Sequence, residues 1–368
     1  MKVLVLSCFT GEGHNSAARA IIEELNSRNI ECELNDPVSF ASKRMHHIVS
    51  TYYNNMIKKR PSAFGLLYKA GEVYSSTHIK SPVYAANATY AQKLADYITS
   101  NGFDTVIATH LYGMEAMTAI RKKCNINAKF YGVLTDYTSI PFIAETKLDG
   151  YFVPNLQSKL ILAKRGIPQK RIFMTGIPVS PHFTNCPTKA ESRRLLSIPE
   201  NKKVYVIMSG GIGGGKVADL CKRLYSVTDS GTLIYALVGR NEQLKESLDS
   251  FFAGVSRIKV IPFTTDVNLY MKAADVLLTK PGGLSSTEAA VINVPIVHVN
   301  AIPGCETYNV RYFSENGMSF KARNTKSAVM LAEKLYSDSK LSANMCAAQR
   351  RIINRRAVSD IVEIIQSL

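Results

Sequence analysis

Glycines, hydroxyl side chains, histidines and a few acids gather at four places in this sequence, each directly after a short apolar run. The first is Ser7-Cys8-Phe9-Thr10-Gly11-Glu12-Gly13-His14-Asn15-Ser16-Ala17-Ala18. Glycines let the backbone approach a ligand, and a helix that starts there offers free N–H groups to an anion. Ser16 stands where a dinucleotide fingerprint requires its third glycine, so that reading is weak. An ordinary strand-to-helix turn has the same look. His14 sets it apart: an imidazole at the C-terminal edge of a parallel sheet lies where ligands bind and can act as a base near neutral pH.

The second place is Ser209-Gly210-Gly211-Ile212-Gly213-Gly214-Gly215-Lys216. Gly210 to Lys216 has the spacing of a nucleotide-triphosphate loop, but Val217 replaces the magnesium-binding Ser or Thr, and no apolar strand ends in the second Asp. A diphosphate-facing loop without metal fits, with Gly211 and Gly213 nearest the ligand; a flexible glycine turn is the alternative. The third is Leu278-Thr279-Lys280-Pro281-Gly282-Gly283-Leu284-Ser285-Ser286-Thr287-Glu288. Ser285 and Ser286 can reach a phosphate at a helix start, and Glu288, one turn on, can accept two ribose hydroxyls. The same spacing also makes a capping box from Ser285 and Glu288. The fourth, Pro303-Gly304-Cys305-Glu306-Thr307-Tyr308-Asn309, offers Glu306 and Asn309 to sugar hydroxyls, or is a polar loop. The sequence has no D-x-D, so a metal-dependent sugar-nucleotide site of that type lacks its carboxylates. Glycine turns and helix ends favour a metal-free diphosphate site.

These turns need strands and helices to hold them. Strands are expected at 3–9, 32–35, 105–109, 129–135, 150–153 and 172–175, then at 204–209, 232–238, 257–262, 276–279 and 295–299. Most are continuously apolar, the pattern of parallel strands buried on both faces. Alternation with helices, twice over, predicts an α/β protein of two doubly wound, Rossmann-like domains. Pro178, Pro181 and Pro187 mark the connector. The expected division is 1–177, 178–345, and a C-terminal helix within 346–368 that packs back towards the first domain.

The 368 residues suit two domains. Seven scattered cysteines without a C-x-x-C pair argue against a zinc site or disulfide framework and for a reducing compartment. No apolar run is long enough to cross a membrane, and Met1–Phe9 reads as a buried strand rather than a signal peptide. The balance of 45 Lys+Arg against 29 Asp+Glu gives a net +16, which suits a polyanionic partner. Between Phe40 and Lys80, seven Lys/Arg face one acid, Glu72. No nucleic-acid-binding motif accompanies the charge.

The motifs resemble those of the processive diacylglycerol glucosyltransferase and monogalactosyldiacylglycerol synthase family, related to the lipid II N-acetylglucosaminyltransferase. Gly11-Glu12-Gly13-His14-Asn15-Ser16-Ala17-Ala18 is similar to its G-G-G-H-x-x-A-A turn. Thr279-Lys280-Pro281-Gly282-Gly283 with Ser286 and Glu288 is similar to its T-K-P-G-G-x-T-x-x-E-A segment. Pro303-Gly304-Cys305-Glu306 with Asn309 is similar to P-G-Q-E-x-x-N, with Cys305 in place of a glutamine. Leu134-Thr135-Asp136-Tyr137 resembles a V-T-D-[FY] segment, but Ser139-Ile140-Pro141-Phe142 replaces the usual H-P-x-W.

The resemblance implies a GT-B fold with a cleft between the two domains. It implies a UDP-sugar donor in the second domain and diacylglycerol as acceptor. Phe263 and Thr265 would lie beside uracil and Glu288 on the ribose. Gly282, Gly283, Ser285 and Ser286 would receive the diphosphate and Glu306 and Asn309 would face the sugar, with Lys280, Leu284, Gly304 and Cys305 also on the donor, Cys305 where the family's glutamine meets the sugar or diphosphate. The implied reaction is an inverting, metal-independent transfer of glucose or galactose with no cofactor, in which His14 or Asp136 deprotonates the acceptor. Lys43, Arg44, Lys58, Lys59 and Arg60, interleaved with Tyr52, Tyr53 and Phe64, suit an anionic bilayer surface, or else a solvated helix face. A peripheral position on the cytoplasmic face of the membrane follows. The rival readings are a UDP-N-acetylglucosamine epimerase and a transferase to a lipid-linked muropeptide.

Overall fold

The computed structural model describes residues 1–8, 12–41, 61–75, 79–208 and 216–368, with the backbone alone at 61–64, 67, 69 and 72. Gly211, Gly213, Lys43, Arg44, Tyr52, Tyr53, Lys58, Lys59, Arg60 and the Phe64 side chain therefore lie outside the described residues. The chain divides into two units. One is Met1–Ser180 with Ile302–Cys305 and Arg356–Leu368; the other is Pro181–Ala301 with Glu306–Arg355.

The first unit is built on β1 (Lys2–Leu6), β2 (Glu31–Asn35), β3 (Thr105–Ala108), β4 (Lys129–Val133), β5 (Gly150–Val153) and β6 (Ile172–Met174). They form one parallel sheet in the order β2-β1-β3-β4-β5-β6. Alternate strand residues pack to opposite faces. Leu4, Leu6, Val106 and Phe130 join one core with Leu94, Ile98, Met117 and Ile120. Val3, Val5, Ile107 and Tyr131 join the other with Ala18, Ile21 and Leu25. Burial on both faces is why the inner strands β1, β3 and β5 are apolar almost throughout, whereas the edge strand β2, Glu31-Cys32-Glu33-Leu34-Asn35, is half-exposed. The order reverses between β1 and β3, so their C-terminal ends flank the crevice where open α/β sheets bind ligands.

The second unit repeats the plan with β7 (Lys203–Met208), β8 (Thr232–Gly239), β9 (Ile258–Pro262), β10 (Val276–Thr279), β11 (Ile296–His298) and β12 (Phe320–Lys321). The parallel order is β12-β11-β10-β7-β8-β9, with the reversal between β7 and β10. The third segment expected at 346–368 divides. A helix Ser339–Ile352 stays with the second unit, because Gln349 Nε2 donates to the Val294 and Met318 carbonyls at 3.0 and 2.9 Å. A separate helix, Ala357–Ser367, buries Val358, Ile361, Val362 and Ile365 in the first unit's second core. The first break falls at Ser180, three residues after the expected 177.

Candidate functional site

In the first unit, β1 leads towards a helix, Glu12–Ser27, that carries His14 in its first turn. The Nδ1 atom lies 2.9 Å from the Thr109 carbonyl, just past β3, and 2.9 Å from the Thr135 hydroxyl, past β4. A carbonyl can only accept, so Nδ1 carries the proton and Nε2 is left as the basic nitrogen. Thr109 returns the hold, its hydroxyl donating to the His14 carbonyl at 3.1 Å. The His110 ring stands edge-on to His14, with centroids 4.7 Å apart, while its own Nδ1 accepts from Tyr112 N–H at 3.2 Å. Burial lowers the His14 pKa from its ordinary 6.5, and the negative Asp136 and the Thr109 carbonyl oppose this. The imidazole is thus neutral at pH 7, the state a base requires. Gly13, beside it, is exposed, and a Cβ there would meet nothing within 4 Å.

The sequence singles out His14 and Asp136 but not Thr109, Thr135 or His110. Their one signal is position, at the C-terminal ends of β3 and β4, the edge where ligands bind.

In the second unit, β10 runs through Lys280 and Pro281 into a helix, Gly283–Ile292, at the reversal point of the sheet. Its N-cap is Gly282, and among the described residues no side chain caps it. Ser285 is a residue of the first turn rather than the cap, so the capping-box alternative does not form. The Gly282 φ of −66° suits any residue, and a Cβ there would meet nothing within 4 Å. The chain itself does not demand a glycine at this point, whereas a ligand seated on the helix N-terminus would. Lys280 Nζ pairs with Glu306 Oε1 at 3.0 Å, and Asn309 Nδ2 donates to the Pro281 carbonyl at 3.0 Å. Glu306 and Asn309 belong to the helix Cys305–Glu315.

The sequence-expected donor residues thus separate. Lys280, Gly282, Gly283, Leu284, Ser285, Ser286, Glu288, Glu306 and Asn309 lie in the second unit around one helix start. Leu284 and Glu288 are buried, and Ser286 is wholly buried, its hydroxyl 3.0 Å from His298 Nε2. Gly304 and Cys305 group with the first unit, where Cys305 Sγ lies 3.4 Å from the Tyr68 hydroxyl. Phe263 is exposed, with the Arg240 guanidinium 4.1 Å from its ring centroid, and Thr265 is exposed beside it.

One further group was not singled out by the sequence. Glu115, on the helix Leu111–Lys123 of the first unit, is fully buried beside Glu145. Burial first, then the negative Glu145, push its pKa up to about 9, against the pull of Lys80. It is therefore a neutral acid at pH 7. Among the described residues no group of three or more His, Cys, Asp or Glu gathers to hold a metal, and no helix is long and apolar enough to cross a membrane.

Two parallel six-stranded units, each with polar residues at the sheet's reversal point, make up the GT-B fold. Residues 14–179 match the Monogalactosyldiacylglycerol (MGDG) synthase family, and residues 190–352 match Glycosyl transferases group 1, so the two halves carry one domain of each. The processive diacylglycerol beta-glucosyltransferase of Bacillus mycoides (strain KBAB4) is 25% identical over 381 residues, spanning 99% of this chain and 93% of that one. The same-named protein of Bacillus cereus (strain AH187) is 24% identical over 380 residues, with the same coverage. The crystal structure of MurG from Acinetobacter baumannii shares the fold with a TM-score of 0.66 at 13% identity, covering 100% of both chains. UDP-GlcNAc 2-epimerase from Neisseria meningitidis does so with a TM-score of 0.64 at 16% identity, again over 100% of both.

Proposed function

We propose that this glycosyltransferase moves a hexose, glucose or galactose, from UDP to the free hydroxyl of diacylglycerol, with inversion and without a metal. The observation that carries the reading is its likeness, over 99% of the chain, to processive diacylglycerol beta-glucosyltransferases. The geometry supports it. His14 Nε2 is a neutral base, held by Thr109 and Thr135 and supported by the Asp136 carboxylate. It takes the proton of the acceptor hydroxyl; the oxygen attacks the anomeric carbon, and the bond to the UDP oxygen breaks with its electron pair. The charge that develops on the diphosphate falls to the uncapped N-terminus of the Gly283 helix and to the Lys280 ammonium. Glu288 takes the ribose, Phe263 and Thr265 the uracil, and Glu306 the sugar, while Asn309, wholly buried on the Pro281 carbonyl, holds the turn behind them. With helix dipole and ammonium on the leaving group, and no D-x-D in the chain, no metal ion is called for.

The acceptor lies in a bilayer. On the helix Pro61–Tyr74, Leu66 and Val73 are 72% and 71% exposed, seven residues apart, with exposed Ala70 between them, and Ile79 follows at 64%. An exposed apolar stripe beside the basic Phe40–Lys80 sequence suits peripheral docking on the anionic cytoplasmic face of the membrane.

The test is UDP release from UDP-glucose or UDP-galactose by the purified chain, with and without diacylglycerol in phosphatidylglycerol vesicles, in EDTA. Diacylglycerol-dependent release, with β-linked glycolipid formed from an α-linked donor, is the expected result. Release indifferent to diacylglycerol with both donors would overturn it and turn attention to UDP-N-acetylglucosamine, with epimerisation and lipid-linked muropeptide acceptors.

A further inference from the structure

The Gly283 helix poses a mechanical problem. A helix start that receives an anion must keep its N–H groups clear, so it forgoes the side-chain cap that fixes most helix starts. Something else has to hold its first turn. Behind it lies His298, the last residue of β11, paired in register with Thr279 of β10. The ring is 1% exposed, and both nitrogens are engaged. Nε2 lies 3.0 Å from the Ser286 hydroxyl, in the first turn of the helix, and Nδ1 lies 2.9 Å from the Ser319 hydroxyl, just before β12. Ser286 is wholly buried, and its N–H donates to the Gly282 carbonyl at 3.0 Å, closing the turn. Phe313 packs edge-on against the imidazole, with centroids 5.4 Å apart, on the same helix that presents Glu306 and Asn309.

We infer that His298 is a positioning residue for donor binding: through Ser286 it fixes the first turn of the Gly283 helix from the inside and leaves the N–H groups of that turn to the diphosphate. This rests on the donor site proposed above. A strand end buried to this degree would be filled at lower desolvation cost by valine or isoleucine. The imidazole spans two hydroxyls on two different elements, which no aliphatic side chain can do. Asn309 on the Pro281 carbonyl holds the approach to the same turn, so the entry is pinned both before and after Gly282.

Two substitutions separate the two hydrogen bonds. In His298→Gln the terminal amide reaches the position of Nε2 and keeps the bond to Ser286. In His298→Asn the shorter amide reaches only the position of Nδ1 and keeps the bond to Ser319. UDP is titrated calorimetrically into the wild-type chain, H298Q, H298N, S286A and the double variant S286A/H298N, with thermal unfolding measured alongside. The expected result is that H298Q binds UDP within about threefold of wild type, H298N and S286A bind about tenfold more weakly, and the double variant is no weaker than either single one. If H298N and S286A unfold at lower temperature yet bind UDP as wild type does, His298 is a core residue and the inference is overturned. If H298N and H298Q lose affinity equally, the Ser286 link is refuted. A wild-type chain that fails to bind UDP refutes the donor site itself, a different outcome from any of these.

Discussion

Glu115 sets up a test in which charge and stability are tied by a known sign. The folded state holds its carboxyl proton up to about pH 9, whereas in the unfolded chain the carboxyl has its ordinary value of 4.5. Above pH 4.5 the unfolded state gives up a proton that the folded state keeps. Stability therefore falls as pH rises and stops falling above about 9. Each pH unit is worth about 1.4 kcal/mol, so by pH 7.5 the loss approaches ~4 kcal/mol. That is a large share of the 5–15 kcal/mol or so typical of a domain. Glu115→Gln keeps the shape and cannot ionise, so the variant should be more stable than wild type at pH 7.5, by ~2–4 kcal/mol once relaxation around the site is allowed, and equal to it near pH 4.5. With two units in the chain a single melting curve mixes transitions. The assay is therefore hydrogen exchange on peptides spanning 111–123, at pH values corrected for intrinsic rate. Wild type and E115Q with parallel stability profiles between pH 5 and 8.5 would refute the reasoning.

Other outcomes follow from the same geometry. His14→Ala should lower kcat by about 10²–10⁴ with donor KM little changed; because burial lowers the His14 pKa, the acid limb of the wild-type profile should fall below pH 6.5, and a limb above that value would remove His14 as the base. Gly282→Ala should leave the exchange protection of the Gly283–Ile292 helix unchanged, since its Cβ meets open space, yet weaken UDP binding severalfold; Gly304→Ala, at a φ of 117°, should lower stability by about 1 kcal/mol. Glu306→Gln leaves the Lys280 ammonium without its carboxylate and should raise donor KM, read from initial rates of UDP release. Ending the chain before Ala357 bares the face that Val358, Ile361, Val362 and Ile365 cover and should make the first unit insoluble or unfolded at 25 °C, judged by its exchange protection.

The inner parallel strands were legible because both faces are buried, which writes a continuous apolar run into the sequence; the edge strands β2 and β9 are half-exposed and carry polar residues. Eleven runs marked eleven strands, with end residues differing by a few positions. β12, Phe320–Lys321, escaped because two residues carry no period. The break between the last two helices escaped as well: Ile353-Asn354-Arg355-Arg356 holds neither proline nor glycine, and tertiary contacts decide it. The site divides along the same line. His14 and the Lys280–Glu288 segment announce themselves by local spacing. The Thr109 and Thr135 partners of His14 lie 95 and 121 residues away in the chain, and only strand order brings them there. The choice between capping box and ligand-facing helix start rested on a shift of three residues, from Ser285 to Gly282, which spacing alone does not resolve.

The helix Ala357–Ser367 belongs to the core of the first unit, although the whole of the second unit precedes it in the chain. On the ribosome, the first sheet therefore emerges with part of one face bare and stays so while some 175 further residues are translated. Its apolar surface near Ile21 and Leu25 is open to chaperones for that interval. Maturation is thus not strictly N-terminal first: the opening unit is the last to be sealed, and a ribosome stalled within the second unit leaves a nascent chain that displays its own defect.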